Sequence, residues 1–349
     1  MMRRRLGLAS IRLHVGIFAG LFFVSLPAIA ENRFVSTNTF LPESTPARDI
    51  YYLALFTLTL AGCFFVVVAS LLFYAVIKFR ARKSDPEHEP AQVYGSTQVE
   101  LAWTVIPIIL IVVLFLTTAR IIFAIQDAPR PKTDLKVTVI GHQFWWEFRY
   151  PEYGIVTANE LHIPLSTPQN PDATYLTLLS GDVDHSFWVP QLGGKIDLIP
   201  NHPNEMWMDP QKAGVYYGQC AQFCGLEHSL MLIRVYVDTP SQFAAWVKNQ
   251  QKPAVDDPNV AAGRQIFETE ACMACHTISG TPAIGTYGPD LTHLMSRGTI
   301  AAGAVENTPA NLRAWINDPS TFKPGAHMPA MHLSDEEVNQ VVAYLTTLR

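Results

Sequence analysis

The stretch GQCAQFCGLEHSLM, residues 218–231, places two cysteines, a histidine and a methionine within fourteen positions. Their spacing is Cys220-x3-Cys224-x3-His228-x2-Met231. Thiolate, imidazole and thioether groups in one site are typical of copper. Short runs of β-branched and aromatic residues lie on both sides, such as HSFWVP before and LIRVYV after. The stretch therefore predicts a metal-binding loop on a rigid all-β domain.

The number of thiols in this loop argues for two metal ions. Zinc sites do not use methionine, and a single blue copper uses one cysteine, two histidines and a weak methionine. With His185 from DVDHSFW as second histidine, two bridging thiolates and two coppers would use every ligand. Met231 would bind one copper weakly, and the carbonyl of Gln222 the other. The alternative is a Cys220–Cys224 disulfide, which an oxidising compartment favours.

Composition indicates membrane segments and an exported chain. Of the 349 residues, 49% are apolar and only 16% are charged, which is low for a soluble protein. The net charge of −5 is mild and no basic run suggests nucleic acid. Residues 1–30 have a basic front, an apolar middle and Ala28-x-Ala30, which predicts a signal peptide. The rival interpretation is a first membrane anchor.

Residues 31–127 predict a transmembrane hairpin. Its apolar runs, about 50–77 and 101–125, are each long enough to cross a bilayer. The loop between them, 78–99, begins KFRARK and is therefore predicted to be cytoplasmic. The remaining chain is then exported to the periplasmic or outer face of a bacterial cell (inner) membrane. Glu100 stands at the start of the second span, where the helix dipole favours an acid.

Residues 128–249 predict an all-β sandwich or barrel, because short strand-like runs alternate with Pro, Gly and Asn turns. Phe144, Trp145 and Trp146 form an aromatic run early in this domain. As residues of a β-domain, these rings are explained by core and surface packing.

Residues 258–349, after a polar linker, carry the Cys272-x2-Cys275-His276 signature of c-type haem attachment. The two thiols add to the haem vinyl groups and the histidine reaches the iron. A thioredoxin-like redox pair is the rival, but no βαβ pattern accompanies it. The sixth iron ligand should be a Met or His downstream. The stretch AHMPAMH, residues 326–332, offers two of each.

The last helix is predicted from its capping signal and its apolar stripe. Ser334 and Glu337 have the spacing of a capping box. The stripe that follows at helical spacing is assigned to the core and consists of Val338, Val341, Val342 and Leu345.

The motifs GHQFWWEFRYP, DVDHSFWVPQLGGKID and CAQFCGLEHSLM, behind a two-helix hairpin, resemble subunit II of haem–copper cytochrome c oxidases. The resemblance covers about residues 40–247. It implies a cupredoxin fold and a dinuclear copper centre, called CuA. Because quinol-oxidising relatives lack this centre, it also implies a cytochrome as electron donor. The ligands that it implies are His185, Cys220, Gln222 through its carbonyl, Cys224, His228 and Met231.

The same resemblance implies roles for four further positions. Glu100 matches an acid near the start of a proton path into the catalytic subunit. Asp197 matches a residue of an interface magnesium site, but Gln222 replaces the glutamate that helps bind this ion, so magnesium stays open. The aromatic run, which supplies electron transfer in the family, begins with Phe144 instead of the usual tryptophan. This change argues against direct docking of external cytochrome c there.

The C-terminal region resembles small bacterial cytochromes c, in which the axial methionine commonly precedes a proline. Met328 fits this pattern, and Met331 is the runner-up. Pro289 of GPDLTHL matches the proline whose carbonyl orients the axial His276.

Together the membrane hairpin, the cupredoxin and an all-α mono-haem cytochrome domain resemble subunit II of caa-type oxidases, which carry a fused cytochrome c. This implies an electron-input subunit with two copper ions and one covalent haem c. Electrons would pass from external cytochrome c, or an upstream cytochrome complex, through haem c and CuA to catalytic subunit I. That partner reduces oxygen in a proton-translocating, membrane-embedded complex with other oxidase subunits. The alternatives are the electron-input subunit of a CuA-containing nitric oxide reductase and a copper-delivery protein.

Overall fold

A computed structural model describes residues 37–80, 92, 94–126, 135–167 and 172–349. The expected signal peptide over 1–30, most of the loop expected over 78–99 and the boundary near 127 lie outside these residues.

Two long apolar helices open the described chain. They are α1 (Thr45–Lys78) and α2 (Thr97–Gln126), with mean hydropathy of 2.6 and 2.8 in their most apolar windows. Both helices expose their apolar side chains along their length, as membrane spans do. Each extends beyond the predicted span, because polar flanking residues continue the helical hydrogen bonding.

Both helices are attached to the β-strands that follow. Ser44 caps α1, since its hydroxyl accepts a hydrogen bond from the N–H of Ala47 and donates to the carbonyl of Leu192 at 2.8 Å. At the end of α2, the indole N–H of Trp207 donates to the carbonyl of Ile125 at 2.7 Å. This end of the hairpin therefore contacts one turn and one strand of the β-structure that follows.

Ten strands follow in the described chain and form two five-stranded sheets, named here the β-sandwich. The strand orders are β3-β2-β1-β5-β8 and β4-β10-β9-β6-β7. The strands are β1 (Leu135–His142), β2 (Trp145–Tyr150), β3 (Ile155–Ala158), β4 (Glu160–Pro164), β5 (Thr174–Ser180), β6 (His185–Trp188), β7 (Ile196–Leu198), β8 (Asn204–Met208), β9 (Gly214–Cys220) and β10 (Leu232–Asp238).

The core of the β-sandwich lies between the two sheets. Strands β5 and β10 alternate buried and half-buried residues, as expected where one face of each sheet meets the other. Phe187 packs edge-on against Trp146 and Phe148, with ring centroids 5.6 Å and 6.5 Å away. Helix α3 (Pro240–Gln250) follows β10 and buries Phe243 and Val247 against this core. These aromatic contacts fix the sheets beneath the metal-binding loop.

The residues from 258 onward, named here the helical region, have a separate core. Their helices are α4 (Ala261–Thr269), α5 (Cys272–Cys275), α6 (Pro309–Asn317) and α7 (Asp335–Leu345). The region also contains a short strand pair, β11 (Thr299–Ile300) with β12 (Val305–Glu306), so the prediction of a purely helical region missed it. Two-residue strands carry too few alternating positions for a sequence pattern to show them.

Helices α4 and α7 approach closely because a glycine stands between them. A Cβ atom on Gly263 would lie 1.9 Å from the carbonyl oxygen of Gln340. The predicted capping box at the start of α7 is confirmed, since the Ser334 hydroxyl accepts from the N–H of Glu337 and the Glu337 carboxylate accepts from Ser334. The predicted apolar stripe of α7 is buried, as expected.

Candidate metal and haem centres

The metal-binding loop connects β9 to β10 and closes over the start of β6. Cys220 ends β9, Met231 immediately precedes β10, and His228 begins a single 3-10 turn between them. His185 begins β6, which pairs with β9 so that Phe187 lies opposite Cys220. Sheet pairing therefore brings the distant histidine to the loop.

The six expected ligands lie together. Sγ of Cys220 is 3.9 Å from Nδ1 of His185, 3.2 Å from the carbonyl oxygen of Gln222 and 3.9 Å from Sγ of Cys224. Sγ of Cys224 is in turn close to the two remaining ligands. It lies 3.7 Å from Nδ1 of His228 and 3.9 Å from Sδ of Met231.

Burial and mutual contact shift the pKa values of the two thiols. Cys220 and Cys224 are 2% and 4% exposed. The hydrogen bond between them lowers the pKa of Cys220 to about 3 and raises the pKa of Cys224, because the two groups share one proton. This arrangement favours a thiolate at Cys220, and thiolates are the form of cysteine that binds metals.

Asp182 orients His185. Its Oδ1 atom lies 2.7 Å from Nε2 of His185, which leaves Nδ1 directed at Cys220. Burial alone would raise the pKa of Asp182, but hydrogen bonds from His185 and from the N–H groups of Gln143 and Val183 hold it below its usual value. A carboxylate behind a histidine is the usual support of a metal ligand.

The donor set fits copper. Two thiols, two imidazoles, a thioether and a carbonyl face one another, as soft-ligand copper centres require. His185, Cys220, Cys224 and Met231 are buried, whereas His228 is half-buried and Gln222 is exposed. In the described chain, His185, Cys220 and Cys224 form the one group of three or more metal-binding side chains found close together. The disulfide alternative is wrong, because the sulfur atoms are 3.9 Å apart and both cysteines are free.

Two other expected site residues lie outside this cluster. Asp197 is in β7 and exposes its side chain, while its carbonyl accepts a hydrogen bond from the Asn204 side chain at 2.7 Å. Glu100 is in the first turn of α2. Asp197 lies opposite Ser186, the residue after His185, in the pairing of β6 with β7.

The aromatic run separates into three environments. Phe144 is 7% exposed and its ring lies against Gly225 of the metal-binding loop, which has a positive φ of 131° and no side chain to obstruct the ring. Trp145 stacks on His142 with ring centroids 4.4 Å apart. Trp146 is buried in the core beside His185, at 6.0 Å between centroids. Packing therefore explains Trp146 well, while Phe144 contacts the metal-binding loop.

The haem-attachment motif forms helix α5 and the wall of a largely apolar cleft. Nδ1 of His276 lies 2.7 Å from the carbonyl oxygen of Pro289, so that Nδ1–H donates and Nε2 is left for a metal. Burial lowers the pKa of His276, which keeps the ring neutral and able to ligate. Gly288 gives the ring room, since a Cβ there would lie 2.6 Å from Cε1 of His276.

The cleft has the lining that a haem requires. Cys272, Cys275 and His276 stand on one side and both Met328 and Met331 also line it. The buried guanidinium of Arg297 lines the cleft and its Nε–H has no hydrogen-bond partner, which suits an anionic group of a bound molecule. Two free thiols, a neutral histidine, methionines and apolar walls therefore fit a covalently attached haem.

Part of this cleft is walled by the β-sandwich. Gln143, Phe144 and Trp145 line it together with residues of the helical region. The ring of His327, next to Met328, lies edge-on to Phe144 with centroids 5.4 Å apart. The side chain of Gln143 donates to the carbonyl of Cys224 at 2.6 Å. The cleft and the metal-binding loop thus share the same aromatic segment.

The β-sandwich and the helical region contact each other beside the cleft, and buried polar groups join them at one side of this contact. The Glu160 carboxylate accepts hydrogen bonds from the N–H groups of Gly298 and Thr299, at 3.0 Å and 2.9 Å, and from the Thr299 hydroxyl at 2.8 Å. The N–H of Leu232 donates to the carbonyl of Ala302 at 3.1 Å. Backbone and side-chain bonds together hold this side of the contact.

Charged residues that sequence reasoning missed lie at the other side. Lys323 donates from Nζ to the carbonyls of Phe144 and Leu230, at 2.8 Å and 3.0 Å. The N–H of Gly325 donates to Glu227 at 2.6 Å. No sequence signal marks these residues, because their partners lie tens of residues away and are mostly backbone atoms.

Comparison with known families matches three segments of the chain. The family described as cytochrome C oxidase subunit II, transmembrane domain, matches residues 36–121. The periplasmic domain of the same subunit matches residues 167–237, and the cytochrome c family matches residues 260–349.

Curated relatives align along most of the chain. Cytochrome c oxidase subunit 2 of Alkalihalophilus pseudofirmus is 36% identical over 315 residues, covering 88% of this chain and 90% of the relative. The subunit of the same name from Bacillus sp. strain PS3 is 38% identical, covering 78% and 80%. Among solved structures, the periplasmic domain of subunit II of cytochrome oxidase from Bradyrhizobium japonicum is 31% identical, covers 35% of this chain and 96% of its own, and has a TM-score of 0.32.

Proposed function

Since this chain belongs to the family of cytochrome c oxidase subunit 2, we propose that it takes electrons at its helical region and delivers them through its copper centre to the oxidase. Family membership makes the chain a component of a haem–copper oxidase, an oxidoreductase, with an electron-input role beside the catalytic subunit. The matched domains imply a haem and copper, and the two apolar helices anchor the chain in a membrane.

The proposed copper site holds two ions. Cys220 and Cys224 would bridge them, with His185 and His228 as one imidazole for each and Met231 as a weak ligand. The carbonyl of Gln222, 3.2 Å from Sγ of Cys220, would complete the set. The surplus of thiols over a mononuclear site supports this count.

The proposed haem site uses Cys272 and Cys275 for attachment, with His276 and Met328 as axial ligands. Copper and haem iron, when bound, each accept and release single electrons. The protein holds His276 in the ligating state through Pro289, and the position of Met328 before a proline favours it over Met331. The residues 128–249 and 258–349 are proposed as the two redox domains.

The observation that carries the proposed route is the burial of Phe144 beneath the helical region. His327, beside the proposed axial methionine, contacts the Phe144 ring, and this ring contacts Gly225 beside Cys224. The aromatic segment therefore links the haem cleft to a copper ligand. Because Phe144 is covered by the chain itself, external cytochrome c, or another upstream cytochrome, is proposed to meet the helical region first.

The proposed orientation places both redox domains on the periplasmic or outer face of a bacterial inner membrane. The basic residues of KFRARK support a cytoplasmic loop over 78–99, which sends both hairpin ends outward. Residues 1–30 are proposed as a signal peptide and 31–127 as the hairpin. Glu100, at the inner end of α2, is proposed to stand near a proton path, and Asp197 near an interface magnesium.

Spectroscopy of the purified chain, loaded with haem and copper, tests this proposal. The expected result is one covalent haem c band and a mixed-valence electron paramagnetic resonance signal from two copper ions. A matched variant, Cys63→Ser, removes the one cysteine outside both motifs and should leave both signals unchanged. One mononuclear copper per chain would contradict the assignment.

A further inference from the structure

Lys323 is a buried cation outside both the metal-binding loop and the haem-attachment motif. It follows α6 in the chain and lines the haem cleft. Only 3% of its surface is exposed. Its Nζ atom donates to the carbonyl of Phe144 at 2.8 Å and to that of Leu230 at 3.0 Å. Both acceptors belong to the β-sandwich, whereas Lys323 belongs to the helical region.

The two carbonyls come from different segments of the copper-binding structure. Phe144 stands at the start of the aromatic run, and Leu230 immediately precedes the expected ligand Met231. One ammonium group therefore ties the aromatic run and the end of the metal-binding loop to each other and to the helical region. Two residues later, the N–H of Gly325 donates to Glu227 of the same loop at 2.6 Å.

Burying the charged side chain of a lysine at this position costs free energy. Burial disfavours the ammonium, and it lowers the pKa of Lys323 to about 8. The negative charge of Glu227 provides the largest opposing effect. In some proteins a buried charged group fixes one arrangement of its partners. An apolar side chain at this position could fill the same space but would hold neither carbonyl.

We propose that Lys323 is a positioning residue that locks the helical region onto the aromatic run and the metal-binding loop. The proposal rests on the proposed function for its purpose, which is to hold the haem cleft in one place against Phe144. The contacts that form the lock are all within the protein and involve neither metal nor haem.

Hydrogen–deuterium exchange of the full chain, as purified in detergent, tests the lock. In Lys323→Met, which keeps length but loses the donors, we expect the amides of Gly325 and Leu232 to exchange roughly tenfold faster or more, as loss of hydrogen bonds from a charged group implies. Leu232 is the first residue of β10, and amides in the middle of this strand, such as that of Val235, should keep their exchange rates. Lys323→Arg, which restores donors, should recover much of the protection.

Lys248→Met is the matched control, because Lys248 is an exposed lysine of α3. It should leave every rate unchanged. Unaltered exchange in Lys323→Met would overturn the proposal, and so would equal acceleration inside β10, which would mean a general loss of folding. An electron-transfer rate from haem to copper that falls in Lys323→Met but not in Lys248→Met would support the proposed purpose of the lock. If the transfer rate stays unchanged while exchange accelerates, the lock stands and its proposed purpose fails.

Discussion

Single side chains behind the ligands determine how well the copper site is preformed. Asp182 holds the ring of His185 through a 2.7 Å contact, and three hydrogen bonds keep its carboxylate ionised. We expect Asp182→Asn to lower copper affinity about 10- to 100-fold, as is usual when the support of a histidine ligand is removed. Competition with a copper chelator measures the affinity.

The nearby Asp184 provides the matched control for this prediction. Its side chain is exposed and it stands one residue before His185, so Asp184→Asn changes the local charge equally. Copper affinity should stay near the original value in this variant. If both variants bind copper equally well, Asp182 does not support the ligand.

At the residue scale, the chemistry of the site could be predicted but its support could not. The spacing of Cys220, Cys224 and Met231 predicted a copper site with one thiol more than a mononuclear site uses, because the ligand types can be seen in the sequence. Asp182 could have been suspected from DVDH, where an acid stands three residues before a histidine. Lys323 gave no signal, since its acceptors are carbonyls that only the folded chain brings near.

Among the secondary structure elements, the crossing of α4 and α7 depends on a single glycine. In a free helix, Gly263→Ala would be stabilising by about 1 kcal/mol. Here the new Cβ would lie 1.9 Å from the Gln340 carbonyl oxygen, so one helix must shift. We expect a net destabilisation of about 1–3 kcal/mol, the usual cost of overpacking. The denaturant midpoint of the haem absorbance in the full chain measures this change.

Ala262→Ser serves as the control, because Ala262 is the preceding, exposed residue of α4. Its midpoint should move only slightly. A midpoint that rises in Gly263→Ala would show that the helix crossing does not need the glycine.

Elements with a periodic pattern, including the short strands of the β-sandwich, were predictable, and the two-residue strands were not. The two membrane helices and α7 follow from apolar runs, a capping box and a buried stripe. The pair β11 and β12 escaped prediction because two residues carry no period. The pair lies at the contact between the two regions, since Thr299 in β11 donates from its hydroxyl and its N–H to Glu160.

Across the whole molecule, the helical region covers Phe144, the first residue of the aromatic run. The motifs predicted both redox sites, but the sequence could not show how the two regions meet. That contact includes Glu160, Glu227 and Lys323, whose partners are mostly backbone groups of the other region. Backbone atoms are the same at every position, so no sequence pattern marks them as partners.

Stopped-flow reduction of the complete oxidase by external cytochrome c tests the central claim, that electrons enter at the fused haem and then reach copper. Haem c and copper absorb at different wavelengths and can be followed in one experiment. Because Phe144 is buried under the helical region, haem c should be reduced first and the copper centre afterwards. Reduction of copper before haem c would contradict the account.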